Sequence, residues 1–151
     1  GHCIAVDPWF IVASTPNEAR LIRMARNVND DKPKYVVEKV KIAAERFKKP
    51  IIACMGLSYK PDIDDLRESP ALDITKILCE SNVGDILVVE PNVDAMPTAL
   101  ADNPNATFCD AATAIDKADI VVLLVGHRAF KEISRNTLNQ KVVVDTQGFF
   151  V

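Results

Sequence analysis

The chain has 151 residues, a formal net charge of -3, 48% hydrophobic and 26% charged residues, which is the composition of one soluble globular domain, or of a domain with an appendage. With 18 basic against 21 acidic residues, the charge balance argues against a nucleic-acid or anionic-membrane partner. A chain of this size buries roughly two-thirds of its unfolded surface, so neither disulfides nor a structural metal is needed to hold a core.

The chain opens without a methionine on Gly1-His2-Cys3-Ile4-Ala5-Val6-Asp7-Pro8-Trp9-Phe10, an apolar stretch too short to stand alone, as if taken from the middle of a longer protein. The first regular element is expected at Thr15-Pro16-Asn17-Glu18, where a threonine cap, a proline in the first turn and a glutamate three residues after the cap suit a helix start. Ala19, Ile22, Ala25 and Val28 then recur at helical spacing, with Leu21 and Met24 widening the apolar stripe. Asn29-Asp30-Asp31-Lys32-Pro33 either separates two helices or kinks one, because proline lacks an amide donor. Val36, Val37, Val40, Ala43, Ala44 and Phe47 resume the period up to Lys48-Lys49-Pro50. At 1.5 Å per residue the two stretches span ~50 Å, so part of this arm is expected to pack on something outside the domain.

After Pro50 the texture changes. Four short apolar runs, 51–56, 85–90, 119–125 and 141–145, read as strands buried on both faces. Helical patterns separate them: one capped by Ser69-Pro70 and using Ala71, Ile74, Ile77 and Leu78, a shorter one over about 111–118, and another over about 130–135. Strand and helix in alternation imply parallel pairing, hence a doubly wound α/β sheet with right-handed crossovers preceded by a helical arm. The boundary is expected between 1–49 and 50–151.

In such a sheet ligands bind beyond the carboxyl ends of the strands. The loop after the first strand, Leu57-Ser58-Tyr59-Lys60-Pro61-Asp62-Ile63-Asp64-Asp65-Leu66-Arg67-Glu68-Ser69, is about twice the usual strand-to-helix connection of 2 to 6 residues, and long loops of this kind are often functional. Lys60 can act as a point charge on a phosphate and Arg67 as a planar fork; the plainer alternative is a solvated loop with internal ion pairs. The chain does not carry the usual phosphate cradle. A dinucleotide fingerprint or P-loop needs two or three glycines within about eight residues, and no two of the five glycines stand that close.

The four cysteines form no CxxC pair, and His2 and His127 supply no ligand spacing, so no metal site is expected. With no signal peptide and no transmembrane-length apolar run, the chain reads as cytoplasmic with reduced thiols. On composition alone Cys3 reads as a small buried hydrophobe. A nucleophilic role would need a thiolate stabilised from elsewhere, since the nearest charge in sequence, Asp7, is itself negative. Cys54, Cys79 and Cys109, the last beside a strand-like segment, read as structural.

Two motifs carry a family resemblance: the opening stretch through Phe10, and Gly56-Leu57-Ser58-Tyr59-Lys60-Pro61-Asp62-Ile63-Asp64-Asp65-Leu66-Arg67-Glu68-Ser69-Pro70. Both resemble nucleotide-sugar (UDP-glucose/GDP-mannose) 6-dehydrogenases, in the order cysteine motif, long helix, carboxyl-terminal UDP-binding α/β domain. The His-Cys-Ile-Ala-Val-Asp-Pro-Trp-Phe wording is most similar to the branch of the family acting on UDP-N-acetyl-D-mannosamine. The resemblance implies a two-step, NAD-dependent oxidation of a sugar C6 alcohol to a carboxylate, through a thiohemiacetal and a thioester on Cys3. It further implies that Asp7 positions or deprotonates water, that Tyr59 and Lys60 hold the nucleotide sugar, and that Arg67 reaches NAD across a domain interface. A basic substrate contact of the family falls here on Gln147, an uncharged departure from that pattern.

The same resemblance implies an amino-terminal Rossmann domain, a catalytic lysine and an asparagine that this sequence does not contain, and a homodimer built on the long helix. The chain is accordingly expected to be the carboxyl-terminal part of such an enzyme, inactive alone. A UDP-N-acetylglucosamine or galactosamine 6-dehydrogenase fragment shares much of this wording. The alternative from another class is a non-catalytic nucleotide-sugar-binding or dimerisation module.

Overall fold

The computed structural model describes residues 3–150; Gly1 and His2 of the first motif, and Val151, lie outside them. Five strands, β1 (Ile51–Met55), β2 (Asp85–Val89), β3 (Ala106–Phe108), β4 (Ile120–Leu123) and β5 (Val142–Asp145), form one sheet in the order β3-β2-β1-β4-β5. All four pairings are parallel, so the expected Rossmann-like sheet is present. β1 is its centre, in register with both neighbours: Ile52 lies opposite Ile86 and Ile120, and Met55 opposite Val89 and Leu123. Strands β1, β2 and β4 are apolar on both sides because helices cover both faces. β5 departs from expectation: it is the sheet edge, its residues only partly buried and Val143 exposed.

Helices α3 (Lys32–Ala44) and α4 (Pro70–Glu80) cover one face, with Val40, Leu78, Ile52 and Ile120 in one apolar cluster. On the other face α5 (Ala111–Lys117) and α6 (Arg135–Leu138) pack with Phe130 against Ala53, Met55 and Val121. Ser69 caps α4 as expected, its Oγ accepting from the Leu72 amide at 3.4 Å, and Pro70 takes the first turn, where no amide partner is needed. Asp110 caps α5 in the same way. The helix expected over 130–135 is instead a 3-10 turn at Arg128–Glu132 followed by α6, because Ile133 is extended and Ser134 starts a new cap.

The amino-terminal arm is more helical than expected. Its first element is α1 (Cys3–Ser14), which holds Pro8 inside it. Thr15 consequently does not open a capping box: its Oγ1 and its amide both donate to the Ile11 carbonyl and so finish α1. Helix α2 (Arg20–Asp30) follows, packed against α1. Asp31 is shared between the end of α2 and the start of α3, with Pro33 in the first turn of α3, so the break between the helical stretches falls where proline permits it. α3 stops at Ala44, short of Lys48, where the Arg46 and Phe47 amides fold back on Ala43 and Ala44 and turn the chain into β1. No residue of α2 is buried: Leu21 is 81%, Met24 60% and Val28 58% exposed. Among the described residues no helix is long and apolar enough to cross a membrane.

Candidate functional site

Sheet order places a topological switch point at the carboxyl ends of β1 and β4, where the chain leaves β1 to opposite sides. Gly56 ends β1 there with φ +84°, tight against Val125 just beyond β4. The next two amides, of Leu57 and Ser58, point past the strand end in the manner of an anion nest. They donate at 2.7 and 3.0 Å to one oxygen, Oε2 of Glu90. Glu90 follows β2, and its side chain is fully buried.

Five hydrogen bonds converge on this carboxylate. Besides the Leu57 and Ser58 amides, Oε2 receives His127 Nε2 at 3.0 Å, while Oε1 accepts the backbone amide and the Nδ2 of Asn92, each at 3.0 Å. The tautomer of the fully buried His127 follows from its other nitrogen. Nδ1 lies 2.9 Å from the Asp62 amide, which can only donate, so Nδ1 accepts and the ring proton sits on Nε2, aimed at Glu90. Burial alone raises the Glu90 carboxyl, but hydrogen bonds from His127, Leu57 and Asn92 outweigh it and hold it well down, at about 2. Sequence reasoning missed this pair. The available signal was an acid closing one apolar run and a histidine just beyond another.

The loop from Leu57 to Ser69 is tied along its length. Ser58 Oγ donates to the Lys60 carbonyl at 2.6 Å, the Tyr59 amide to the Asp65 carbonyl at 2.8 Å, and Ser69 Oγ to the Leu57 carbonyl at 2.6 Å. Asp62, in the left-handed region at φ 62°, accepts from the amide and Nε of Arg128 at 2.9 and 2.8 Å; the Arg128 backbone contact, ahead of its side chain, lowers the Asp62 carboxyl. Arg67 grips Asp65 through Nε and NH2 at 2.9 and 2.8 Å, the internal ion pair of the plainer alternative. Tyr59 is half-buried, and exposed Lys60 stands 6.0 Å from the centre of its ring. The loop is thus a braced arch that presents Tyr59 and Lys60 outward.

The other expected residues lie on neighbouring elements. Gln147, beyond β5, turns its Nε2 back onto the Leu124 carbonyl at 3.0 Å and lines a cleft of about 710 Å³ with Tyr35 and Lys39 of α3 and Arg46 of the turn that follows it. Cys3 and Asp7 are four apart on α1, hence neighbours on one helical face, and both are exposed. This corrects the compositional reading of Cys3 as a buried hydrophobe: the helix that carries it has only Val12 buried. Cys54 and Cys79 are buried, and desolvation pushes their thiols up to about 12 and about 11. A disulfide-exchange reagent is expected to titrate Cys3 quickly and half-buried Cys109 slowly in the native chain, with Cys54 and Cys79 reacting only after unfolding. A third fast thiol in the native state would contradict this placement.

A parallel sheet with its long braced loop at the switch point, and with the β1 turn already filled by a carboxylate, defines a Rossmann-like domain that does not use that turn as a dinucleotide cradle. The chain belongs to the UDP-glucose/GDP-mannose dehydrogenase family, whose UDP binding domain it matches over residues 53–151. It is 53% identical over 150 residues to an NDP-N-acetyl-D-galactosaminuronic acid dehydrogenase of Ralstonia nicotianae, covering 99% of this chain and 35% of that protein. It is 50% identical over 156 residues to a UDP-N-acetyl-D-mannosamine dehydrogenase of Yersinia pestis, covering 98% and 37%. A UDP-N-acetyl-mannosamine dehydrogenase structure from Staphylococcus aureus superposes with a TM-score of 0.72 at 29% identity, covering 87% of this chain and 31% of the other. The chain therefore spans about a third of the length of the relatives it matches.

Proposed function

We propose that this chain is the nucleotide-sugar-binding and cysteine-bearing part of a UDP-N-acetyl-D-mannosamine 6-dehydrogenase, oxidising the C6 alcohol of a UDP-hexosamine to the uronate in the cytoplasm. The observation that carries the reading is the braced loop at the switch point, which holds Tyr59 and Lys60 outward beside β1. Lys60 supplies a point charge to the pyrophosphate and Tyr59 a flat apolar face beside it. Gln147 donates elsewhere and contributes shape rather than charge. The Ralstonia relative supports a second reading, a galactosamine-configured substrate, because its identity to this chain is no lower than that of the mannosamine enzymes.

Cys3 is the nucleophile of this proposal. Its sulfur holds the C6 carbon covalently between the alcohol and acid oxidation levels, and Asp7, one helical turn on, orients or deprotonates the water that releases the carboxylate. NAD is the hydride acceptor of such chemistry. The residues of this chain do not fit it as a cradle: no paired glycines follow β1, and Glu90 takes the Leu57 and Ser58 amides. We place NAD on a separate Rossmann domain, for which the threefold greater length of the relatives leaves room, with Arg67 reaching toward it. The division between 1–49 and 50–151 then separates the cysteine segment and connecting helices from the UDP-sugar domain, and the exposed Leu21, Met24 and Val28 face of α2 is where we place a dimer contact.

Calorimetric titration with UDP tests the reading. The wild-type chain is expected to bind, and Lys60→Ala to bind about 10- to 100-fold more weakly, the effect of losing a charged hydrogen bond to phosphate. Equal affinity of the two proteins, or no binding by the wild type, would overturn it.

A further inference from the structure

We infer that Glu90 and His127 are positioning residues for the nucleotide-sugar loop, the Glu90 carboxylate acting as a built-in anion that fills the nest of the β1 turn. The inference rests on the proposal that Tyr59 and Lys60 receive the nucleotide sugar. At a switch point the amides after the first strand are where a ligand phosphate is ordinarily taken. Here both amides are satisfied by a carboxylate with no solvent exposure, so an incoming pyrophosphate meets no free donor at that turn. The charge left for it is Lys60, exposed and, among the described residues, in no ion pair.

The pair grips the loop on both sides of Tyr59 and Lys60. On the near side Glu90 holds Leu57 and Ser58; on the far side His127 Nδ1 holds the Asp62 amide at 2.9 Å. The two grips are one unit, because the proton that His127 places on Nε2 is the one donated to Glu90. Asn92 fastens the unit from below, its Nδ2 reaching Glu90 Oε1 and His127 Nδ1, each at 3.0 Å. Asp62 holds a left-handed backbone at φ 62°, a conformation aspartate adopts more readily than most residues, and the His127 contact fixes it there. A carboxylate suits the centre because every atom facing it donates; a neutral amide would turn its own NH2 toward either Asn92 or the loop amides. The residues therefore act through the loop, touching no substrate themselves.

The test uses the 151-residue chain with Glu90→Gln and His127→Gln, which keep volume, and Glu90→Ala with and without added acetate. Two quantities are read: hydrogen exchange at the Leu57, Ser58 and Asp62 amides relative to Ala53 and Val121 in the core strands, and the affinity for UDP. Both glutamine variants are expected to speed loop exchange about tenfold or more beyond whatever change the core strands show from lower global stability, and to weaken UDP binding by a similar factor. Acetate at tens of millimolar is expected to restore much of both in Glu90→Ala, with the loop amides recovering more than Ala53 and Val121, whereas a rescue of general stability alone would slow loop and core exchange alike. Unchanged loop exchange in the folded glutamine variants overturns the inference, as does unchanged UDP affinity once exchange has accelerated. Failure of wild type to bind UDP overturns the nucleotide-sugar reading instead, while exchange reports the anchor independently.

Discussion

Replacing Gly56 with alanine is expected to cost about 2–5 kcal/mol of folding stability, which combines a left-handed backbone in a residue with Cβ with overpacking of a closed site. At φ +84° the added Cβ would lie 2.7 Å from both Val125 Cβ and the Val125 carbonyl oxygen, and 3.0 Å from the Val125 amide nitrogen. Two of those three neighbours are backbone of the chain leaving β4, so no side-chain rotation relieves the contact. The Gly56 amide also donates to the Val89 carbonyl at 2.8 Å, which pins the glycine from its other side. Against a typical total of about 5–15 kcal/mol, such a loss is a large share. Thermal unfolding followed by circular dichroism should show a midpoint lower by about 4–20 °C. A loss under about 1 kcal/mol would mean that the β1 and β4 strand ends separate readily, contrary to their fixed parallel register.

The second large effect is acid sensitivity carried by Glu90. Its carboxyl titrates at about 2 in the folded chain against an ordinary 4.5, so the folded state favours the ionised form. The stabilisation is complete above about pH 5 and is lost as pH falls toward 2, with a magnitude on the order of 3 kcal/mol. Glu90→Gln removes the titration and leaves a poorly matched amide among five donors. It is therefore expected to be about 1–3 kcal/mol less stable than wild type near pH 7 and to show a flatter stability profile between pH 5 and 2. Urea unfolding at several pH values would measure both; parallel profiles for the two proteins would show that other carboxylates govern acid unfolding.

What the sequence made legible follows from how each element meets water. β1, β2 and β4 stand out because strands covered on both faces need unbroken apolar runs, and α4 because Ser69-Pro70 is a local start signal. α1 escaped for the opposite reason: Ile4, Phe10 and Ile11 are exposed on it, so it is apolar all round and shows no helical period, and Pro8 reads as a breaker. β3 is only three residues long at the sheet edge. The loop stood out in the sequence by its length and charge, whereas its bracing did not, since Glu90 and His127 are 37 positions apart and meet only once β1 lies between β2 and β4. The positions of Tyr59, Lys60 and Arg67 on one loop followed from contiguity alone; the outward turn of Lys60 needed the node behind it.

The order of the strands also sets a timetable. β1 is the centre of the sheet, yet one of its two flanking partners is synthesised late: the Ile51 amide bonds Asp119 Oδ2 across 68 positions. At roughly 5–20 residues per second on the ribosome, the apolar edge of β1 waits several seconds for β4. During that interval the strand is paired with β2 at most, and one complete row of its amides and carbonyls is open to other chains. The node that shapes the loop closes later still, because His127 follows β4, so the carboxyl end of the sheet is among the last parts of this domain to be finished.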